Sequence, residues 1–114
     1  MAYYLFNVTM EFIETTIFTK LVQELLSDDQ YRELQTHLTR YPDAGVMIQD
    51  SGGLRKIRWG ARKQGKRGGV RVIYYWALRG DLIYMIYVYS KTDKDDLTSE
   101  QLKSLRKIVQ TELP

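Results

Sequence analysis

Eight lysines and arginines fall within residues 55 to 71, and no aspartate or glutamate lies among them. The eight are Arg55, Lys56, Arg58, Arg62, Lys63, Lys66, Arg67 and Arg71. The whole chain has 17 Lys and Arg against 14 Asp and Glu, so removing these eight would leave 9 against 14, a net charge of −5. A basic cluster on an otherwise acidic protein attracts a polyanion in a defined direction, and nucleic acid is the first candidate.

Strand alternation predicts that a smaller set of cations and one phenol share a surface. Lys56 and Arg58 fall on one face of a strand, Arg71 enters the next strand, and Tyr89 and Lys91 share a face in the last. If these strands are neighbours, the five side chains converge on one sheet surface beside the 60–69 loop. Such a cluster could bind an RNA phosphate, stabilise the charge that develops as a 2′-hydroxyl attacks it, and move protons through a lysine or tyrosine of lowered pKa.

These side chains divide into two predicted groups. The predicted catalytic residues are Lys56, Arg58, Arg71, Tyr89 and Lys91. The predicted RNA-binding residues are Arg55, Arg62, Lys63, Lys66 and Arg67. The alternative is that the charges only solvate an exposed sheet and loop, which is the usual role of a charged run.

Few other kinds of site are compatible with the remaining residues. The single histidine, His37, excludes a ribonuclease that uses paired histidines as acid and base, and we interpret it as a surface or packing residue. The absence of cysteine excludes a thiol nucleophile and a cysteine-based zinc site. Acidic residues at 93–96 could hold magnesium, but interleaved lysines favour a solvated turn before the last helix. We therefore expect no metal and no cofactor.

The first half of the chain predicts a strand followed by two helices. In "VTMEFIE", residues 8–14, apolar Val8, Met10 and Phe12 alternate with polar Thr9 and Glu11, which is typical of a half-buried strand. The run "TTIFTKLVQELL" has apolar residues at four-residue spacing, which predicts a short helix capped by Thr15 or Thr16. Ser27 opens a capping box, "SDDQ", for a second helix that Pro42 ends. The two helices form an αα-hairpin.

The second half predicts three strands and a final helix. Residues 43–53 form a loop with a short extended piece, and "LRKIRWG", "VRVIYYWAL" and "LIYMIYVYS" have the composition of strands. The second and third of these are almost wholly apolar, which places them centrally in an antiparallel sheet with helices on one face. A capping box from Thr98 to Gln101 starts the last helix. The predicted fold is α+β in the order βααβββα, with a three-stranded antiparallel meander.

Length and composition favour one domain, residues 1–114, in which residues 1–9 are a leader or an extension of the first strand. The longest apolar run, Leu82 to Tyr89, is too short to span a bilayer. The segment "MAYYLFNVTM" lacks the basic start and the small-residue cleavage site of a signal peptide. We therefore expect a cytoplasmic protein.

Three segments, "GGLRKIRW", "GKRGGVRVIYYW" and "YVYSKTDKDDLT", together resemble the RelE/HigB toxin superfamily, and most closely its HigB-like branch. The resemblance runs from about Phe12 onward and includes the predicted RelE-like order of elements. It implies a cytoplasmic toxin of a type II toxin–antitoxin system that cleaves messenger RNA in the ribosomal A site. Cleavage in this family is metal-independent and leaves a 2′,3′-cyclic phosphate. A HigA-like antitoxin from the same operon would neutralise the toxin, and the resulting hetero-oligomer would bind operator DNA through the antitoxin.

The resemblance also carries site residues across by position. The family's basic residues on the first of the three strands fall on Lys56 and Arg58, its strand arginine on Arg71, and its last basic residue on Lys91. RelE has an arginine where this chain has Thr92, and a tyrosine further on that has no counterpart in "DKDDL". Tyr89 is the candidate replacement for that phenol, and the loop cations become candidate ribosome-binding residues.

Two other functions remain open from the sequence. A non-enzymatic nucleic-acid-binding module would use the same basic patch and show salt-sensitive affinity, but it would not need Tyr89 and Lys91 to converge on the patch. A gyrase-poisoning toxin of the same fold would act on a protein. That branch usually lacks the strand-borne basic set, so the combination of Lys56, Arg58 and Arg71 counts against it.

Overall fold

The computed structural model describes residues 10–60, 69–77, 79–91 and 96–112. Within these ranges the elements are β1 (Glu11–Glu14), α1 (Thr16–Leu25), α2 (Asp28–Arg40), β2 (Val46–Met47), β3 (Leu54–Trp59), β4 (Val70–Trp76), β5 (Leu82–Ser90) and α3 (Ser99–Glu112). They confirm the α+β class, and the order is the predicted one except for β2, which forms from the short extended piece predicted within residues 43–53. The predictions for residues 1–9 lie outside the described residues.

The described strands form one sheet in the order β1-β5-β4-β3-β2. Antiparallel pairing joins β2 to β3, β3 to β4 and β4 to β5, which confirms the predicted meander. β1 pairs with β5 in parallel and closes the other edge. The two most apolar strands, β4 and β5, are interior as predicted, because each lies between two other strands.

Helices cover both faces of the sheet, so the prediction of helices on one face is wrong. The α1–α2 hairpin packs on the face that carries Val72 and Tyr74, whereas α3 packs through Leu105 on the face that carries Ile73 and Tyr75. Successive residues of β4 point to opposite faces, and both sets are buried. A strand that is apolar at nearly every position is typical of a sheet covered on both sides.

The helices begin where the capping signals predict. Thr15 Oγ1 accepts a hydrogen bond from the Phe18 amide at 3.1 Å and donates to the Ile86 carbonyl at 2.8 Å, so it caps α1 and attaches it to β5. Ser27 and Thr98 each form a capping box with the glutamine three residues later. None of the helices in the described part of the chain is long and apolar enough to cross a membrane.

Candidate nucleic-acid interface

Arg58, Arg71 and Tyr89 form a row across three neighbouring strands. Arg58 is paired with Arg71, and Arg71 with Tyr89, in the register of β3, β4 and β5. Residues paired directly in antiparallel strands project from the same face. The row depends on one extra residue in β5, at Ile86, which shifts the register relative to β4. The sequence-based expectation that these three side chains share a face is confirmed.

A cleft of about 720 Å³ opens at the outer edge of β3. β2 pairs only with Arg55 and Lys56, so among the described strands none covers that edge beyond Lys56. The cleft is lined by His37, Ala44, Val46, Lys56, Ile57, Arg58, Trp59, Arg71 and Lys91. Its volume is in the range of sites that bind small ligands, and a nucleotide is such a ligand.

Four of the five predicted catalytic residues line this cleft: Lys56, Arg58, Arg71 and Lys91. Arg58 is exposed, the two lysines are half-buried, and Arg71 is only 6% exposed. Tyr89 is 4% exposed, packs in the core between the sheet and α3, and is not among the described residues that line the cleft. The structure therefore brings the four cations together, whereas the phenol lies on the same face of the sheet but in the core.

Lys56 has a specific acidic partner. Its Nζ donates a hydrogen bond to Asp96 Oδ1 at 2.7 Å, and the Lys56 side chain is 28% exposed whereas that of Asp96 is 73% exposed. This hydrogen bond, together with the charges of Lys56 and Arg71, holds the pKa of the Asp96 carboxyl below its ordinary value. Residues 93–95 of the turn predicted at 93–96 lie outside the described residues, and Asp96 places an exposed carboxylate on a lysine that lines the cleft. A phosphate oxygen would compete with that carboxylate for the same ammonium.

A comparison with protein families identifies the family of the chain that carries this basic cleft. A family model described as the RelE toxin of the RelE/RelB toxin–antitoxin system matches residues 10–113. The chain belongs to the RelE toxin family. Toxins of this family generally cleave messenger RNA, and membership implies an antitoxin partner. The match spans all the described secondary structure and confirms the resemblance seen in the sequence.

The other basic residues of this RelE-family toxin lie away from the cleft or outside the described ranges. Arg55 projects from the opposite face of β3, and its guanidinium donates to the carbonyls of Asp43 at 3.3 Å and Gly45 at 2.9 Å. It therefore holds the segment that leads into β2, and its role in RNA binding stays a prediction. The remaining predicted binding residues, Arg62, Lys63, Lys66 and Arg67, lie outside the described residues. Within those described, no cluster of three His, Asp or Glu side chains is placed to hold a metal ion.

Two aromatic rings that sequence reasoning did not assign to the site also line the toxin's cleft. The His37 ring lies 5.2 Å from the Trp59 ring and 5.3 Å from the Tyr41 ring, measured between centroids. The prediction of His37 as a packing residue is confirmed by these contacts but omits its place in the cleft wall. The contact of His37 with Tyr41 could be predicted from the sequence, because the two residues are four positions apart and lie one helical turn from each other. Its contact with Trp59 joins α2 to β3, and no local pattern predicts it.

Proposed function

We propose that this RelE-family toxin is an endoribonuclease that cleaves messenger RNA in the A site of the ribosome. The supporting observation is the convergence of Lys56, Arg58, Arg71 and Lys91 on one cleft. Like charges directly opposite each other destabilise a sheet, and Arg58 faces Arg71 in this way. An anionic ligand in the cleft offsets that repulsion, and an RNA phosphate is the anion that the family's activity supplies.

The cleft residues suit an attack by the 2′-hydroxyl on its neighbouring phosphate. The 2′-oxygen forms a new bond to phosphorus as the bond from phosphorus to the 5′-oxygen breaks, which yields a 2′,3′-cyclic phosphate and a 5′-hydroxyl. Arg58 and Arg71 bind the non-bridging oxygens and stabilise the charge that develops there. The proton leaves the 2′-hydroxyl and a proton reaches the 5′-oxygen through Lys56 and Lys91. Tyr89, buried opposite Arg71, is assigned to positioning that arginine.

Dependence on the ribosome follows from the weakness of these proton-transfer groups. Lysine, arginine and tyrosine are poor acids and bases at neutral pH compared with paired histidines. A ribosome that holds the message with its 2′-oxygen, phosphorus and 5′-oxygen in line supplies the orientation that the site needs. Efficient cleavage of ribosome-bound message and poor cleavage of free RNA are expected. Positive residues of the 60–69 loop contribute to docking on ribosomal RNA.

The same proposal includes where the toxin acts and what restrains it. A ribosomal substrate places it in the cytoplasm. The antitoxin is HigA-like and encoded in the same operon, and the toxin–antitoxin complex binds operator DNA through the antitoxin. These finer assignments come from the resemblance of the "GGLRKIRW", "GKRGGVRVIYYW" and "YVYSKTDKDDLT" segments to the HigB-like branch.

The test is to express the toxin from a tightly controlled promoter and map the 5′ ends of cellular messages. Cuts at codon spacing within translated regions, absent from cells that express Arg71→Ala, would support the proposal. DNA damage without such cuts would indicate a gyrase-poisoning toxin instead. RNA binding without cuts or damage would indicate a non-enzymatic binding module. Cleavage by purified toxin on ribosomes, with and without a chelator, then tests metal independence.

A further inference from the structure

We infer that the rings of His37 and Trp59 form a subsite for one RNA base beside the phosphate-binding cations. The inference rests on the proposed function for the identity of the ligand as RNA. Its structural basis is that both rings line the same cleft as Arg58 and Arg71. The rings contact each other with centroids 5.2 Å apart and planes inclined by 42°.

The two sides of the cleft differ in chemistry in the way that the two parts of a nucleotide differ. One side is cationic and suits a phosphate. The other carries the two rings with Ile57, which projects from the same face of β3 as Trp59. A nucleobase is flat and has a π face that stacks on aromatic side chains regardless of sequence. A ligand with only a phosphate would leave this apolar side uncovered.

The position of the cleft on β3 explains how neighbouring residues of that strand could contact a base and its phosphate. Arg58 and Trp59 are consecutive in β3 and therefore project from opposite faces of the strand. The cleft lies at the edge of β3 beyond β2, where side chains from both faces are accessible. The Trp59 indole N–H donates to the Gln30 carbonyl at 3.0 Å, which fixes the ring against α2. Rings held in place before binding lose little conformational entropy when a base stacks on them.

Fluorescence of Trp59 provides a direct test. The chain has two tryptophans, so Trp76→Phe leaves Trp59 as the only one. This variant is titrated with an adenosine dinucleotide whose 2′-hydroxyls are methylated, which cannot be cleaved because the nucleophile is blocked. Ribose 5-phosphate, which has a phosphate and the sugar but no base, is the comparison probe. The dinucleotide should quench Trp59 at millimolar concentrations, and ribose 5-phosphate should not.

Substitution of His37 separates stacking from a general effect on the fold. In the Trp76→Phe background, His37→Ala should weaken dinucleotide binding about tenfold, on the scale of one base–aromatic stacking interaction. His37→Phe keeps a ring and should retain most of the affinity, and thermal unfolding of both variants reports their stability. Equal quenching by the two probes, no quenching by either, or unchanged binding in His37→Ala at wild-type stability would each overturn the subsite. If His37→Ala unfolds, weak dinucleotide binding by the folded His37→Phe variant would also overturn the subsite.

Cleavage maps distinguish failure of the subsite from failure of the proposed function. Message cutting by the wild type with an unaltered base preference in His37→Ala, and no quenching, would overturn only the subsite. Base-dependent quenching by a protein that never cuts ribosome-bound message would retain the subsite and overturn the proposed function. Cutting with an altered base preference at the cleavage position in His37→Ala would support both.

Discussion

Arg58 and Arg71 lie directly opposite each other on β3 and β4. Arg58 is exposed, whereas Arg71 is 6% exposed in a strand that is otherwise almost wholly apolar. Two cations in this relationship repel each other, and an apolar pair would pack better there. Arg71 also lowers the pKa of the exposed Asp96 carboxyl, and it lines the same cleft as Arg58, Lys56 and Lys91. We attribute the arrangement to the anion site proposed above.

Arg71→Ala should reduce cleavage of ribosome-bound message by about a hundredfold or more, close to 3 kcal/mol, the scale of removing one oxyanion donor. The fold should remain, because the substitution also removes the repulsion with Arg58. Single-turnover cleavage and thermal unfolding on the same preparation make the measurement.

Arg79→Ala is the matched control for that measurement. Arg79 forms ion pairs with Asp81 at 2.8 Å and Glu11 at 3.4 Å, and it is not among the residues that line the cleft. Its cleavage rate should equal that of the wild type. Loss of activity with a large fall in melting temperature would identify Arg71 as a structural residue, and unchanged activity would remove it from the site.

Asp96→Asn should strengthen binding of a short RNA and steepen its salt dependence, because it frees the Lys56 ammonium for a phosphate. Fluorescence anisotropy of a labelled RNA across a series of salt concentrations measures both quantities. Asp81→Asn removes a carboxylate of the same charge from an ion pair with Arg79 outside the cleft, and it serves as the control. Equal salt slopes in the two variants would contradict competition between Asp96 and RNA.

The stability that the Lys56–Asp96 pair contributes should depend on pH. The pKa of Asp96 in the folded protein is lowered from its ordinary 3.8, chiefly by the hydrogen bond from Lys56. The contribution is therefore complete at pH values well above 3.8 and is lost as the pH falls through the lower folded value. It should stay below about 1 kcal/mol because the Asp96 side chain is 73% exposed and water screens the pair. Melting temperatures of wild type and Asp96→Asn, compared from neutral to acid pH, should converge at the acid end.

The parts of the fold that depend on local signals were predictable from the sequence. Thr15, Ser27 and Thr98 cap their helices because each needs only an amide within the next turn. Alternation along the strands likewise predicted that Arg58 and Arg71 share a face, since side-chain direction in a strand has a period of two.

The parts of the fold that depend on contacts between distant segments were not predictable from the sequence. The apolar run of β4 indicates that the strand is buried. It does not indicate that α3 packs on the face opposite α1 and α2, because that packing depends on contacts between distant segments. The extra residue at Ile86 has no turn residue to mark it. The contact of His37 with Trp59, and that of Lys56 with Asp96, join residues 22 and 40 positions apart in the chain. Each contact involves at least one residue that lines the cleft.

Charge reversal at Lys63, Lys66 and Arg67 should weaken ribosome binding and flatten its salt dependence. The salt slope should fall by about one unit or less for each phosphate that the variant no longer neutralises. Reversal at three exposed lysines elsewhere, Lys20, Lys103 and Lys107, changes the net charge equally and is the control. If the loop variant binds ribosomes as the wild type does at physiological salt while remaining folded, the loop has no docking role.

Tyr74→Phe should destabilise the fold, the opposite of what is expected for Arg71→Ala. Tyr74 is fully buried, and its hydroxyl donates to the Pro42 carbonyl at 2.8 Å and accepts from the Gly45 amide at 2.8 Å. Burial raises the pKa of Tyr74, which keeps the hydroxyl protonated as this donation requires. The substitution leaves two polar groups of the segment before β2 without that partner, at a cost of about 1–3 kcal/mol.

The melting temperature of Tyr74→Phe should therefore fall by about 4 °C or more, as expected for a domain of this size. Cleavage should fall only as far as the unfolded fraction requires at the assay temperature, because Tyr74 faces α2 and not the cations. Tyr41→Phe removes a hydroxyl from a side chain that is 53% exposed, and its melting temperature should not change. Equal melting temperatures for Tyr74→Phe and Tyr41→Phe would show that the two hydrogen bonds do not hold the segment that shapes the cleft.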